Sequence, residues 1–150
     1  MAFPHSSVGD QTCTGNESTP TALAKLSLGH LLLVDDNVLC LFLLGQIVER
    51  AGYRVTLSSN PERTLGHDMR SFDLAILDFD MPGCDGQALL QRMRAADATF
   101  PVILHSGSAD LLSVETKILF SSCISKPTRT QELLATVAHF LGNEPVQNLL

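Results

Sequence analysis

Four apolar runs in this chain end on residues that could do chemistry. Leu31-Leu32-Leu33-Val34 stops at Asp35-Asp36, and Leu74-Ala75-Ile76-Leu77 stops at Asp78. Val102-Ile103-Leu104 runs into His105-Ser106-Gly107, and Cys123-Ile124-Ser125 into Lys126-Pro127. Short apolar runs without alternation read as strands buried on both faces, as in a parallel sheet. A buried strand has no structural use for a charge at its tip, although a loop or helix cap is the plainer alternative for Asp78. Clustered carboxylates repel one another and are costly unless a cation lies among them. The simplest chemistry is a divalent metal beside Asp78, with Lys126 and Ser106 left to hold an anion.

That chemistry needs the strand tips at one edge of one sheet, and the intervening segments provide for it. After Asp78, Pro82, Gly83 and Gly86 force a loop. The pattern predicts strands over 30–34, 53–57, 74–77, 102–105 and 123–125. It predicts helices over 37–51, 60–70, 87–96, 110–120 and 130–141, with Gly52 and Gly142 closing the first and last. In the first helix Cys40, Leu43, Leu44, Ile47 and Ala51 form the stripe expected to face the sheet. Leu41 and Phe42 fall outside it and are expected to be partly exposed, either over a deeper core or as a docking surface. Alternating strands and helices demand right-handed crossovers and an α/β, doubly wound parallel sheet, with order 2-1-3-4-5. Strands one and three then meet at the switch point, where Asp35, Asp36 and Asp78 would converge.

Composition narrows the function classes. The chain has 150 residues, 45% of them hydrophobic, and a formal net charge of −6. With no Lys/Arg cluster, direct nucleic-acid binding is disfavoured. Cys13, Cys40, Cys84 and Cys123 are far apart, which argues against a zinc site and a disulfide framework. No signal sequence or membrane span is evident, so a cytoplasmic location is expected. Residues 1–28 read as a polar flexible tail, with a short helical turn over 22–28, and 143–150 as a short C-terminal tail. Residues 29–142 form the one domain, and no second domain is expected.

Taken together, these residues resemble the receiver domain of two-component response regulators, the CheY-like family. The resemblance rests on Asp35-Asp36, on Asp78-x-x-Met81-Pro82-x-x-Asp85-Gly86, on Ser106, on Lys126-Pro127, and on Gly52-Tyr53-x-Val55. It implies a flavodoxin-like (βα)5 sandwich. It also implies that Asp78 takes a phosphoryl group from a histidine kinase or histidine phosphotransfer protein. Aspartyl phosphate is an established covalent form of this side chain. Mg2+ is the implied cofactor, held by Asp36, Asp78 and the Asp80 main-chain carbonyl, with Asp35 acting through water. Lys126 would pair with the phosphoryl oxygens and Ser106 would donate a hydrogen bond to them. Gly107 would leave the phosphoryl group room, and the Lys126-Pro127 bond would be cis.

Alone, Ser106 reads as a loop serine and Lys126 as a solvated charge. Asp85 reads as a cap, His105 as a packed edge histidine, and His67 and His139 as solvated helix residues. Two features depart from the family pattern. Cys123 stands where an aromatic residue is usual, and Leu119-Phe120 replace a small pair. A weaker relay from Ser106 through this face is expected. Asp80 adds charge at the mouth of the site and is expected to affect the lifetime of the phosphoryl group. Two rivals are a haloacid-dehalogenase-like phosphatase, on Asp78-Phe79-Asp80, and a non-phosphorylated interaction module. In the phosphatase family, however, D-x-D ends the first strand and the paired acids come later.

Overall fold

The computed structural model describes residues 27–144. The tails expected over 1–28 and 143–150, and the turn over 22–28, fall mostly outside these residues. The chain runs β1 (His30–Val34), α1 (Val38–Arg50), β2 (Arg54–Ser58), α2 (Pro61–Thr64), β3 (Leu74–Leu77), α3 (Gly86–Ala95), β4 (Val102–Ser106), α4 (Val114–Lys117), β5 (Ser122–Ser125) and α5 (Thr130–Leu141). Single 3-10 turns lie at Met69–Ser71 and Ala109–Leu111. The five strands form one sheet in the order β2-β1-β3-β4-β5, and every pair is parallel. Among the described residues no helix is long and apolar enough to cross a membrane.

Period-two alternation of wholly apolar strands builds two cores, one on each face of the sheet. Leu31, Leu33, Leu74, Ile76, Ile103 and Ile124 pack against α1 and α5, through Leu41, Val48, Leu133, Leu134 and Val137. Leu32, Val34, Ala75, Leu77, Val102 and Leu104 face the other way, onto Leu89, Leu90 and Met93 of α3 and onto Met69, Phe72, Phe100 and Phe120. The inner strands are sealed: Leu31, Leu32, Leu33, Leu74, Leu77, Ile103 and Leu104 are all 0% exposed. Truncating one such leucine to alanine costs about 2–5 kcal/mol.

Several helix expectations need correction. The fully buried stripe of α1 is Leu41, Gly45 and Val48; of the expected stripe Ala51 is buried and Leu44 and Ile47 pack half-buried against the same core, while Cys40 and Leu43 are exposed. Leu41 is therefore core at 5% exposure, and only Phe42, at 54%, is free as expected. The helix is apolar on nearly all sides, so periodicity could not choose its face. Gly45 chooses it: a Cβ there would lie 3.1 Å from the Leu57 side chain, so this side sits tight against β2. The helix expected over 60–70 stops at Thr64, where Gly66 turns back on the Arg63 carbonyl. Asp68 then caps a separate 3-10 turn, which leaves His67 exposed but outside any helix. The helix expected over 110–120 is broken by Ser113, which caps the four-residue α4. Gly142 closes α5 with φ 68, as expected.

Candidate functional site

The strand register brings the tips together. Val34 sits beside Leu77, and Leu77 beside Leu104, so Asp35, Asp78 and His105 emerge side by side at the carboxyl edge. Backbone bonds carry this alignment past the strand ends. Asp78 N donates to the Val34 carbonyl at 2.8 Å, and Lys126 N to the Ser106 carbonyl at 3.0 Å. The β3–α3 loop is folded tightly against the site. Gly86 N donates to Phe79 O at 2.8 Å, and a Cβ on Gly86 would lie 2.8 Å from the Asp78 carbonyl oxygen. Only glycine fits there. Asp85 caps α3, accepting from Ala88 N at 2.8 Å.

The three carboxylates Asp35, Asp36 and Asp78 each present an oxygen, and these lie within 4.8 Å of one another. At that separation each pair of charges repels by about 3 kcal/mol at an effective dielectric of about 20. Lys126 offsets part of this, with Nζ 2.7 Å from Asp35 Oδ2 and 3.7 Å from Asp78 Oδ1. Burial pushes the Asp78 carboxyl above the usual carboxylate range; the Lys126 charge draws it down and Asp35 pushes it up again. On Lys126 burial acts downward, but the hydrogen bond to Asp35 and the charges of Asp35 and Asp78 outweigh it and leave the ammonium raised. It stays charged at neutral pH.

The acids are not equivalent. Asp35 is 5% exposed, with both oxygens engaged: Oδ2 by Lys126 and Oδ1 by Asn37 N at 2.9 Å. Asp36 is exposed, and among the described residues nothing donates to its carboxylate. An all-oxygen donor set with spare negative charge suits a hard divalent cation. Ser106 is 0% exposed, and its hydroxyl faces Asp80 Oδ2 at 3.4 Å. A Cβ on Gly107 would meet nothing within 4 Å, so the space beside Ser106 is open. The Lys126-Pro127 bond is cis. His105 is half-buried, its Nε2 without a partner among the described residues. Burial and the Lys126 charge hold its pKa down at about 4, against an upward pull from Asp35, so the ring is neutral.

One participant was missed from sequence. Ser108 donates its hydroxyl to Asp80 Oδ2 and its amide to Ser106 Oγ, the latter at 3.2 Å. The signal available was the repeated hydroxyl in Ser106-Gly107-Ser108, which needed a known neighbour to mean anything. Cys123 lies outside the site: it packs against the core beneath α4, and its thiol donates to the Lys117 carbonyl at 3.5 Å.

Chemically, a buried carboxylate flanked by a cation site and an ammonium is set to attack a centre that carries negative oxygens. The topology excludes the D-x-D phosphatase order, because Asp78-Phe79-Asp80 follows β3 whereas Asp35-Asp36 follows β1. The family model described as "Response regulator receiver domain" matches residues 31–138. The two-component response regulator ARR14 of Arabidopsis thaliana is 34% identical over 123 residues, covering 79% of this chain and 31% of that protein. This chain thus spans about a third of that relative's length. The CheY-like receiver domain protein of Methanospirillum hungatei JF-1 superposes with TM-score 0.69 at 26% identity, over 77% of this chain and 95% of that one. Response regulator TrrA of Thermotoga maritima, solved in complex with Mg2+ and BeF, gives TM-score 0.67 at 25% identity, over 74% and 97%. With the sheet order, the acid cluster and the paired lysine already in place, these likenesses establish that the chain belongs to the response regulator receiver domain family of two-component signalling proteins.

Proposed function

We propose that this receiver takes a phosphoryl group onto Asp78 from the phosphohistidine of a histidine kinase or histidine phosphotransfer protein. An Asp78 carboxylate oxygen attacks phosphorus, the phosphorus–nitrogen bond breaks, and the imidazole leaves with the electron pair. Phosphoryl transfer depends on positioning and charge neutralisation more than on acid-base chemistry. Mg2+, when bound, neutralises charge on the phosphoryl oxygens and orients them. Asp36, Asp78 and the Asp80 main-chain carbonyl would hold it. Asp35, with both oxygens taken by Lys126 and Asn37, would reach it through water. Lys126, 3.7 Å from Asp78, would pair with the incoming oxygens, and Ser106 would donate to one of them.

The observation that carries this reading is the pairing of a metal-competent acid cluster with Lys126 around one buried aspartate. The only catalysis in it is the gain and loss of the group on Asp78. Location in the cytosol belongs to the same reading, and the net charge of −6 supports an absence of direct nucleic-acid contact. The partner would meet the exposed apolar residues of α1, Val38, Leu39, Phe42 and Leu43, on the helix that follows Asp35-Asp36 in the chain. Incubation with Mg2+ and acetyl phosphate should add the mass of one phosphoryl group, and Asp78→Asn should add none. Wild type that takes no label would leave the interaction-module reading. Steady hydrolysis of phosphomonoesters would favour a phosphatase.

A further inference from the structure

We propose that the cavity between α1 and the start of α5 is a binding site for a small uncharged molecule, a flat apolar ring system that carries one N–H or O–H donor. It lies outside the acid cluster, and its occupancy does not depend on Asp78 being the phosphoacceptor.

The cavity has a volume of about 380 Å³. Small-molecule sites typically measure about 300–1,000 Å³ and are mostly apolar, with a few polar groups that fix orientation. Cys40, Leu43, Leu44 and Ile47 line it from α1. Their spacing places them on one side of the helix. They make up most of the stripe that the sequence assigns to the sheet, yet Cys40 and Leu43 are exposed. Core packing therefore does not account for the whole stripe, and the cavity gives its outer part a use. Pro127, Thr130 and Leu133 form the opposite wall. A helix face opposite a prolyl ring leaves a slot that a planar ring can fill with contacts on both sides.

Charge decides what kind of molecule enters. Among the described residues no acid lines the cavity. Its one cation, Lys126, is already paired with Asp35 at 2.7 Å and with Asp78 at 3.7 Å. An anion would find that ammonium occupied, with the acid cluster beyond it, and a cation would meet only Lys126. Either ion would lose hydration without compensation, so the fitting occupant is neutral. His105 supplies the polar requirement. It lines the cavity, and its Nε2 is buried without a partner among the described residues. A neutral imidazole with its proton on Nδ1 offers Nε2 as an acceptor, which calls for one donor on the occupant.

Indole is the probe, and indene, of the same shape without the N–H, is its control. Binding to the full chain is read from the methyl resonances of Leu43, Leu44, Ile47 and Leu133. Indole should bind with Kd below about 1 mM. Indene should bind roughly 3- to 10-fold more weakly, the range of one net hydrogen bond. His105→Leu should abolish the preference and leave indene as it was. Cys40→Trp, at an exposed position, should fill the cavity and weaken both ligands by about tenfold or more. No saturable shift with indole would overturn the proposal. So would equal affinities in wild type, a preference that survives His105→Leu, or binding that Cys40→Trp leaves undiminished. If His105→Leu fails to fold, indole against indene on wild type and on Cys40→Trp still decides.

Discussion

The carboxyl edge of the sheet and the α4 face are built to different standards. At the edge, Asp35 is bonded on both oxygens, Gly86 packs backbone on backbone, and the ends of β3 and β5 are each tied to a neighbouring strand. On the other face, α4 is four residues long, and Leu111, Val114 and Ile118 are 87%, 70% and 72% exposed. Both departures from the family pattern, Leu119-Phe120 and Cys123, fall on this second region. The difference shows which part of the domain constrains its own sequence. Placing one aspartate beside a cation site and an ammonium needs fixed residue types at fixed points, whereas a solvent-exposed face does not.

The comparison breaks first on metal binding. If the edge is a cation site, Mg2+ at about 100 times its dissociation constant should stabilise the fold by about 2.7 kcal/mol over EDTA. Asp36→Asn should remove most of that gain, and Val114→Thr with Ile118→Thr should leave it intact, as thermal unfolding would show. Without metal, the sign at Asp78 is unfavourable. Its folded carboxyl is raised by burial, so the ionised form is penalised and stability is lost as pH rises from the usual carboxylate value through the raised one. Asp78→Asn should therefore stabilise the metal-free domain at neutral pH. A destabilised Asp78→Asn in EDTA would count against the buried-charge picture.

Next in size is the loop that presents Asp78. Gly86→Ala must push a Cβ to 2.8 Å from the Asp78 carbonyl and 3.0 Å from Phe79 Cα, and both neighbours are backbone. Overpacking of this kind costs about 1–3 kcal/mol. Gly107→Ala, also beside the site, meets nothing within 4 Å and should change stability by less than about 0.5 kcal/mol. Denaturant midpoints on the two variants would check the contrast, and equal losses would mean that the loop is free to shift.

How much was legible follows the same division. The strands and their order were readable because wholly apolar runs ended on acids, on Ser106 and on Lys126, and alternation with helices leaves few topologies. Asp35, Asp36, Asp78 and Lys126 were readable as a group for the same reason. The face of α1 was not, because Leu41, Phe42, Leu43 and Leu44 are equally apolar and only Gly45 against Leu57 decides among them. Helices 60–70 and 110–120 were overextended because Gly66 and Ser113 act through local bonds that compete with helix continuation. The Asp80–Ser108 contact joins residues 28 positions apart, which no local pattern encodes.

A smaller effect sharpens the edge itself. His105 is held neutral, its pKa lowered to about 4 by burial first and by Lys126 second. The unfolded chain binds a proton below about 6.5 while the folded ring does not, so stability is lost as pH falls from about 6.5 towards 4. Allowing for the exposed part of the ring, the contribution is about 1 kcal/mol at pH 5. Unfolding of His105→Gln should show a shallower loss over this window than wild type. Identical slopes would mean that the ring takes up a proton in place.

The smallest predicted effect is the one that separates the two regions most sharply. Burial raises the Cys123 thiol above its ordinary value, and its bond to the Lys117 carbonyl ties it to α4 rather than to Ser106. Phe120, 6% exposed, belongs to the same core cluster. With Cys13, Cys40 and Cys84 replaced by serine, Cys123 is the one thiol left, and its reaction rate reports how often this face opens. Mg2+ and beryllofluoride should change that rate by less than about twofold, an opening free-energy change under about 0.4 kcal/mol. Resonances of Ser106 and Ser108 should shift strongly in the same sample. A large change at Cys123 would show that the relay survives without its aromatic residue, and the two regions would then be one switch.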